Sequence, residues 1–260
     1  MREDPPWALR PGWRVAPGVR AVMSMRPGGH SPAPWASFNL GSAVGDDPVR
    51  VAAHRQALGR LLGATPVWLR QVHGAQVVRL EHSAQAGLDI TADAAWSDQP
   101  GMACVVQAAD CLPVLLCTPQ GHVVGAAHAG WRGLAAGVLE ALLQPMCEAA
   151  ACAPAEVSAW LGPCIGPQCF EVGADVLLAF GSEPVRRTLD PAFRYQPRPD
   201  GDARWMADLV MLARRRLARA GVRRISGGRW CTVNDETRFF SYRRESRGGR
   251  MAAGIAAAPR

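Results

Sequence analysis

Between Ala103 and Ala127 the chain runs through three short apolar segments in close succession: Ala103 to Gln107, Leu112 to Cys117, and Val123 to Ala127. Such runs, bounded by Gly, Pro and polar residues, read as buried strands. Further strand candidates of the same kind are Val67 to Val72, Gln76 to Leu80, Val157 to Leu161, Trp230 to Val233 and Arg238 to Tyr242. Helical signals are fewer. Asp47-Pro48 opens an amphipathic stretch that Gly63 closes, with the expected cap, first-turn proline and terminal glycine. Two more helices are predicted, from Trp131 to about Ala150 and from Trp205 to Ala220. Strands outnumber helices.

At 260 residues and 48% hydrophobic, the chain has enough apolar side chains to build a sizeable core without disulfides or a structural metal. A bound metal would therefore serve chemistry. The same composition excludes disorder and collagen, and no stretch of about 18 uncharged apolar residues marks a membrane span. That length could hold one large domain or two small ones, and no stretch of the chain reads as a boundary between them. The start, MREDPPWALRPGW, contains no apolar signal-peptide core, so the expectation is a cytoplasmic protein whose eight cysteines are thiols. All 29 basic residues are Arg. From Arg204 to Arg260 there are 14 Arg against four acids, which suggests an anionic ligand or else a solvated arginine-rich face.

Of the six histidines, His30, His54, His82 and His122 have no partner at an informative spacing. His73 and His128 differ. His73 precedes Gly74 between two strand candidates, and His128 begins His-Ala-Gly-Trp-Arg-Gly at a strand-to-helix junction. Cys111 falls between two apolar runs, in Ala109-Asp110-Cys111-Leu112-Pro113. If the runs from Ala103, Leu112 and Val123 share one sheet, Cys111 and His128 emerge at neighbouring strand ends, and His73 approaches from a separate hairpin. Two imidazoles and a thiolate leave one tetrahedral position open, as a catalytic zinc requires. The spacing alone is not diagnostic, and core thiol remains the default for Cys104, Cys117, Cys147, Cys152, Cys164, Cys169 and Cys231.

These residues sit in motifs that resemble the YfiH-like laccase-domain family, whose members carry the names polyphenol oxidase, purine nucleoside phosphorylase and peptidoglycan-editing factor. The resemblance runs nearly end to end. It includes Ser37-Phe38-Asn39-Leu40-Gly41, Gln71-Val72-His73-Gly74, Ala109 to Pro113, His128 to Gly133, Leu161 to Gly173, and Phe239 to Arg244. It implies a single α+β domain over residues 1–260, of mixed β-sheets packed face to face with outer helices, in α/β/β/α layers. It also implies that His73, Cys111 and His128 are metal ligands, with zinc (Zn2+) the usual occupant and copper possible. The chain departs from the family pattern at Ala108-Ala109, His54 and Gly248-Gly249-Arg250, and none of these removes a ligand.

The resemblance further implies a metal-dependent purine nucleoside enzyme. Its expected reactions are phosphorolysis of adenosine, inosine and methylthioadenosine to free base and ribose 1-phosphate, and adenosine deamination. In this reading Asn39 hydrogen-bonds the nucleoside, Arg243 contacts phosphate, and Asp110 and Arg132 support the metal centre. Six histidines are too few for a trinuclear copper cluster beside this trio, so a literal laccase is disfavoured, although one copper ion could still oxidise phenols. A metal-independent Cys111/His128 hydrolase or editing factor acting on peptidoglycan precursors is the alternative. A nucleic-acid binder lacks the aromatic interleaving of a stacking platform. The expected partners are small molecules, not nucleic acid or a membrane.

Overall fold

The protein is described from a computed structural model, over residues 4–82 and 90–258. Its strands form two large sheets and two small ones. The first large sheet has the order β1 (Ala8–Leu9), β2 (Arg20–Ser24), β16 (Met251–Ala256), β8 (Met102–Ala108), β3 (Thr65–Val67). The second has the order β15 (Arg224–Gly227), β11 (Ser158–Leu161), β9 (Leu112–Cys117), β10 (Val124–Ala129), β7 (Ala94–Ser97), β5 (Val77–Arg79). A three-stranded sheet joins β12 (Glu171–Val172), β14 (Trp205–Ala207) and β13 (Phe193–Tyr195), and β4 (Leu69–Arg70) pairs with β6 (Ile90–Thr91).

Period-2 geometry sorts each central strand into two cores. From β8, Cys104 and Val106 point into the layer between the two large sheets. Leu115 and Cys117 of β9, Trp160 of β11 and Ala253 of β16 join them there. The alternate residues Ala103, Val105, Ala252 and Ala256 face helix α1 (Pro48–Leu62). On the far side, Leu112, Val114 and Leu116 pack against α3 (Val138–Ala150) and α5 (Leu209–Arg219). The order of layers is thus helix, sheet, sheet, helix, as expected. Helices α2 (Trp131–Ala136) and α4 (Ala174–Ala179) complete that outer layer.

The α1 signals hold: the Asp47 carboxylate accepts the Val49 amide, and Gly63 ends the helix at φ 60°. Elsewhere the elements differ from expectation for local reasons. The helix predicted from Trp131 is broken at Gly137, whose φ of 93° is left-handed and splits it into α2 and α3. The segment predicted as helix from Trp205 begins as strand β14, and α5 starts only after Asp208, whose side chain accepts from the Met211 amide. Trp230 to Val233 and Arg238 to Tyr242 are not strands; they form turns, with a single bridge from Cys231 to Cys164. The Val67 to Val72 run divides between β3 and β4.

One correction bears directly on the site. The run from Ala103 does not share a sheet with those from Leu112 and Val123; β8 lies in the first large sheet and β9 and β10 in the second. The chain crosses between the sheets at Ala109 to Cys111, and Asp110 takes φ 93° to make that turn. His73 does not sit on a simple hairpin either, because β4 and β5 belong to different sheets.

Candidate metal centre

Strands β9 and β10 pair antiparallel, with His128 opposite Pro113 and Ala129 opposite Leu112. Cys111, just before β9, therefore lies next to His128 at the end of the same ladder. His73 reaches them from the loop after β4, with φ 62°. One ligand atom from each of His73, Cys111 and His128 lies within 4.8 Å of the others, the only such group of three among the described residues. The two imidazoles meet edge to face with centroids 4.8 Å apart. His128 is buried and His73 exposed, so the cluster is anchored in the fold on one side and open on the other.

The group holding this arrangement is Asp93, which the sequence reading missed. Its carboxylate is wholly buried. Oδ1 accepts from the His73 amide at 2.9 Å, and Oδ2 accepts from the amides of Gly74 at 2.7 Å and Val72 at 3.2 Å. Oδ1 also lies 2.9 Å from His128 Nδ1, and the Asp93 carbonyl accepts the His128 amide. One carboxylate thus fixes the loop bearing the first histidine and the ring of the second. Because Nδ1–H donates to Asp93, Nε2 of His128 is left as the donor atom towards the cluster.

Burial opposes charge on Asp93, but His128 and the amides of Gly74 and Val72 outweigh it and hold its carboxyl below the usual range. The same competition acts on the neighbouring pair. Burial alone would push the Cys111 thiol up, yet attraction to His128 and His73 brings it well down. Burial would lower His128, while Cys111 and Asp93 raise it. The centre therefore favours the thiolate that soft-to-borderline metals bind. Space is matched as closely as charge: a Cβ on Gly130 would sit 3.0 Å from Cys111 Sγ and 3.2 Å from His73 Cδ2. A Cβ on Gly133 would lie 2.5 Å from the Gly74 carbonyl. Three N/N/S donors with an open side fit zinc, and they fit copper as well.

An open cleft of about 1140 Å³ extends from the trio. Its walls carry Arg55, Arg70, Arg243 and Arg250, together with aromatic rings from Trp68, Phe170 and Tyr242. Asp110 is the one carboxylate in its lining. The Asp110 oxygens accept from Thr232 Oγ1 at 2.5 Å and the Arg243 amide at 2.6 Å, so this residue ties the crossing to the C-terminal turns. Arg132, the other residue expected to support the metal, is exposed and lies over the ring of Trp131; support of the ligands falls to Asp93. Arg243 lines the cleft, its guanidinium donating to the Glu171 carbonyl at 3.3 and 3.4 Å.

Asn39 is a correction. It is wholly buried, and its amide is fully engaged inside the protein. Oδ1 accepts from Gly41 and Arg250 amides at 2.9 and 2.8 Å, and Nδ2 donates to the Gly41 carbonyl and Asp46 Oδ2. No donor or acceptor is left for a nucleoside. The basic surface also resolves largely into internal work: Arg214 caps the Ile225 and Gly227 carbonyls, Arg215 pairs with Asp190, and Arg216 pairs with Glu140.

An α/β/β/α protein with an open His/Cys/His centre at the point where its chain crosses between sheets is the class that fold and site define. The chain belongs to the family described as multi-copper polyphenol oxidoreductase laccase, whose model matches residues 20–258. It is 46% identical over 245 residues to a purine nucleoside phosphorylase of Pseudomonas aeruginosa, covering 94% of this chain and 96% of that one. The purine nucleoside phosphorylase YfiH of Escherichia coli K12 is 45% identical, with the same coverage. Among solved structures, YlmD from Geobacillus stearothermophilus superposes with a TM-score of 0.87 at 31% identity, covering 99% of this chain and 98% of that one. A Neisseria meningitidis protein of the DUF152 family gives 0.84 at 38% identity, over 97% and 100%.

Proposed function

We propose that this chain is a metal-dependent purine nucleoside phosphorylase acting in the cleft over His73, Cys111 and His128. The observation that carries the reading is the junction of that open donor trio with a cleft whose charged lining is four arginines against one aspartate. A site of that charge attracts an oxyanion, and the names of the relatives at 45–46% identity agree with it. The substrates proposed are adenosine, inosine and methylthioadenosine.

In phosphorolysis a phosphate oxygen bonds to the anomeric carbon of the ribose. The bond from that carbon to the purine nitrogen breaks, and its electron pair leaves with the base, which takes up a proton. A zinc ion held by His73, Cys111 and His128 supplies Lewis acidity and charge stabilisation when bound. The residues of the chain do the positioning. Asp93 keeps His128 Nε2 and the His73 loop aimed at one point. Arg243 offers its guanidinium to phosphate, and the Phe170 and Tyr242 rings give apolar faces for the purine.

Adenosine deamination is proposed as a second reaction of the same centre. Its carboxylate requirement points to Asp110, whose two oxygens already accept hydrogen bonds. For copper-dependent phenol oxidation the single donor trio supports a one-ion centre. The deciding experiment is product identification with adenosine, with and without phosphate, before and after chelation. Phosphate-dependent release of adenine, lost on chelation, is the expected result. Inosine formed without phosphate would instead favour deamination. Turnover that survives complete metal removal would overturn the metal reading in favour of a Cys111/His128 hydrolase.

A further inference from the structure

Two of the four cleft arginines stand apart from the exposed Arg70 and Arg243. Arg55 and Arg250 are both half-buried, and among the described residues neither forms an ion pair with a carboxylate. Arg55 lies flat on Trp68, its Cζ 3.9 Å from the ring centroid, with Nε donating to the Leu40 carbonyl and Nη2 to Ser42 Oγ. Arg250 lies over Tyr242 and donates only to the Gly248 and Gly249 carbonyls. Burial lowers the pKa of both, that of Arg55 to about 10. For Arg250 the neighbouring Asp110 and Cys111 offset part of that burial, but no carboxylate is bonded to either guanidinium, and a partly desolvated cation in that position is costly unless something anionic completes it.

Both arginines grip the same short turn. Arg55 binds its two ends, at Leu40 and Ser42, and a Cβ on Gly41 between them would come within 2.8 Å of Arg250 Cγ. The buried Asn39 amide fastens this assembly, because its Oδ1 accepts the backbone amides of both Gly41 and Arg250. The Leu40 amide donates back to the Arg250 carbonyl. Gly41, Ser42, Arg55 and Arg250 all line the cleft that holds the trio. A turn that carries two planar guanidinium groups with no carboxylate bonded to either, one of them holding the Ser42 hydroxyl, is suited to a tetrahedral oxyanion.

We propose that Arg55, Arg250 and the Ser42 hydroxyl form the subsite that binds inorganic phosphate, with Asn39 as the positioning residue that sets their spacing. The inference rests on the phosphorylase reading for its catalytic consequence but not for its binding consequence. Arg243, by contrast, is exposed, so it is a secondary contact for this anion.

The test combines direct binding with kinetics on the metal-loaded full chain. Calorimetric titration with inorganic phosphate, and separately with AMP, is carried out on the wild type and on Arg55→Gln, Arg250→Gln, Arg243→Gln and the surface control Arg219→Gln. The expected result is phosphate binding weakened at least tenfold in Arg55→Gln and Arg250→Gln, less in Arg243→Gln, and unchanged in Arg219→Gln. In turnover the first two variants raise the KM for phosphate at least tenfold, with the nucleoside KM within threefold of wild type. Arg55→Lys and Arg250→Lys keep the charge and the fold while losing the planar fork, and are expected to fall between. Gly41→Ala, which presses on Arg250, raises the phosphate KM by a smaller factor. A wild type that binds no phosphate at millimolar concentration, or one that binds AMP but not phosphate, overturns the subsite. So does phosphate binding that survives in folded Arg55→Lys and Arg250→Lys at wild-type strength. Phosphate bound through these arginines but never consumed with any nucleoside would leave the subsite standing and sink the phosphorylase reading instead.

Discussion

At the scale of single residues, the centre depends on side chains whose importance is unequal in the sequence. His73, Cys111 and His128 are legible because each sits beside glycine or at the end of an apolar run. Asp93 is not, because an aspartate between two alanines, before a strand as short as Ala94–Ser97, looks like any loop acid; the only available signal is its isolation in an apolar stretch. Asp93→Ala is expected to weaken metal affinity by about 10–100-fold, measured by competition with a chromophoric chelator. Retained affinity would show that the three ligands hold their geometry unaided. Cys111→Ala is expected to lose bound metal and turnover together, read by elemental analysis and by the phosphate-dependent assay. Asn39 teaches the opposite lesson: a motif residue next to a cleft can serve entirely inward.

His54 adds a pH dependence at the same scale. It is buried on α1, its Nε2 accepting from the His30 amide and its Nδ1 donating to the Asn39 carbonyl, so it is held neutral. Burial is the main cause that lowers its pKa below 6.5. Protons therefore bind the unfolded state more readily than the folded one. Stability from this residue is complete above pH 6.5 and declines as pH falls below it. His54→Asn, which cannot titrate, is expected to flatten the pH dependence of the melting temperature below pH 6.5; an unchanged slope would assign that dependence elsewhere.

At the scale of elements, the strands buried on both faces were readable because their apolar runs are continuous, as in β9 and β10. Strands β2 and β16 were not. The β16 sequence Met-Ala-Ala-Gly-Ile-Ala is poor in β-branched residues, and its place is set by packing. A Cβ on Gly254 would come within 2.8 Å of Leu62 Cδ1 of α1, so the small residues let the helix approach. The misread helices have a similar cause: periodicity runs through Gly137 and Trp205, and only backbone conformation and a cap at Asp208 reveal the breaks. Gly137→Ala, forced into φ 93°, is expected to cost about 1 kcal/mol or slightly more. Asp208→Ala is expected to cost about 1 kcal/mol through the lost cap on α5. Urea titrations with unchanged slopes measure both.

For the whole molecule, the layer between the two large sheets is the common foundation. Trp160 is fully buried there with Met23, Leu115 and Ala253. Trp160→Ala is expected to destabilise by about 3–5 kcal/mol, seen as a shifted denaturation midpoint. The layered order was predictable from the resemblance. The separation of β8 from β9 was not, since a sharp turn within one sheet and a crossing between two sheets leave the same loop of three residues in the sequence.

That crossing, together with the Asp93 clamp, sets an order of events in the life of the protein. The donors come from three separate segments, and the clamp that aligns two of them is itself assembled from a strand start and a distant loop. On the proposed metal reading, a polypeptide still emerging in synthesis has no place to capture the ion, so loading is expected to follow acquisition of the native shape and to leave it essentially unchanged. Stripped protein should keep its circular dichroism and a single melting transition, only at lower temperature, and regain its ion on simple addition without passing through denaturant.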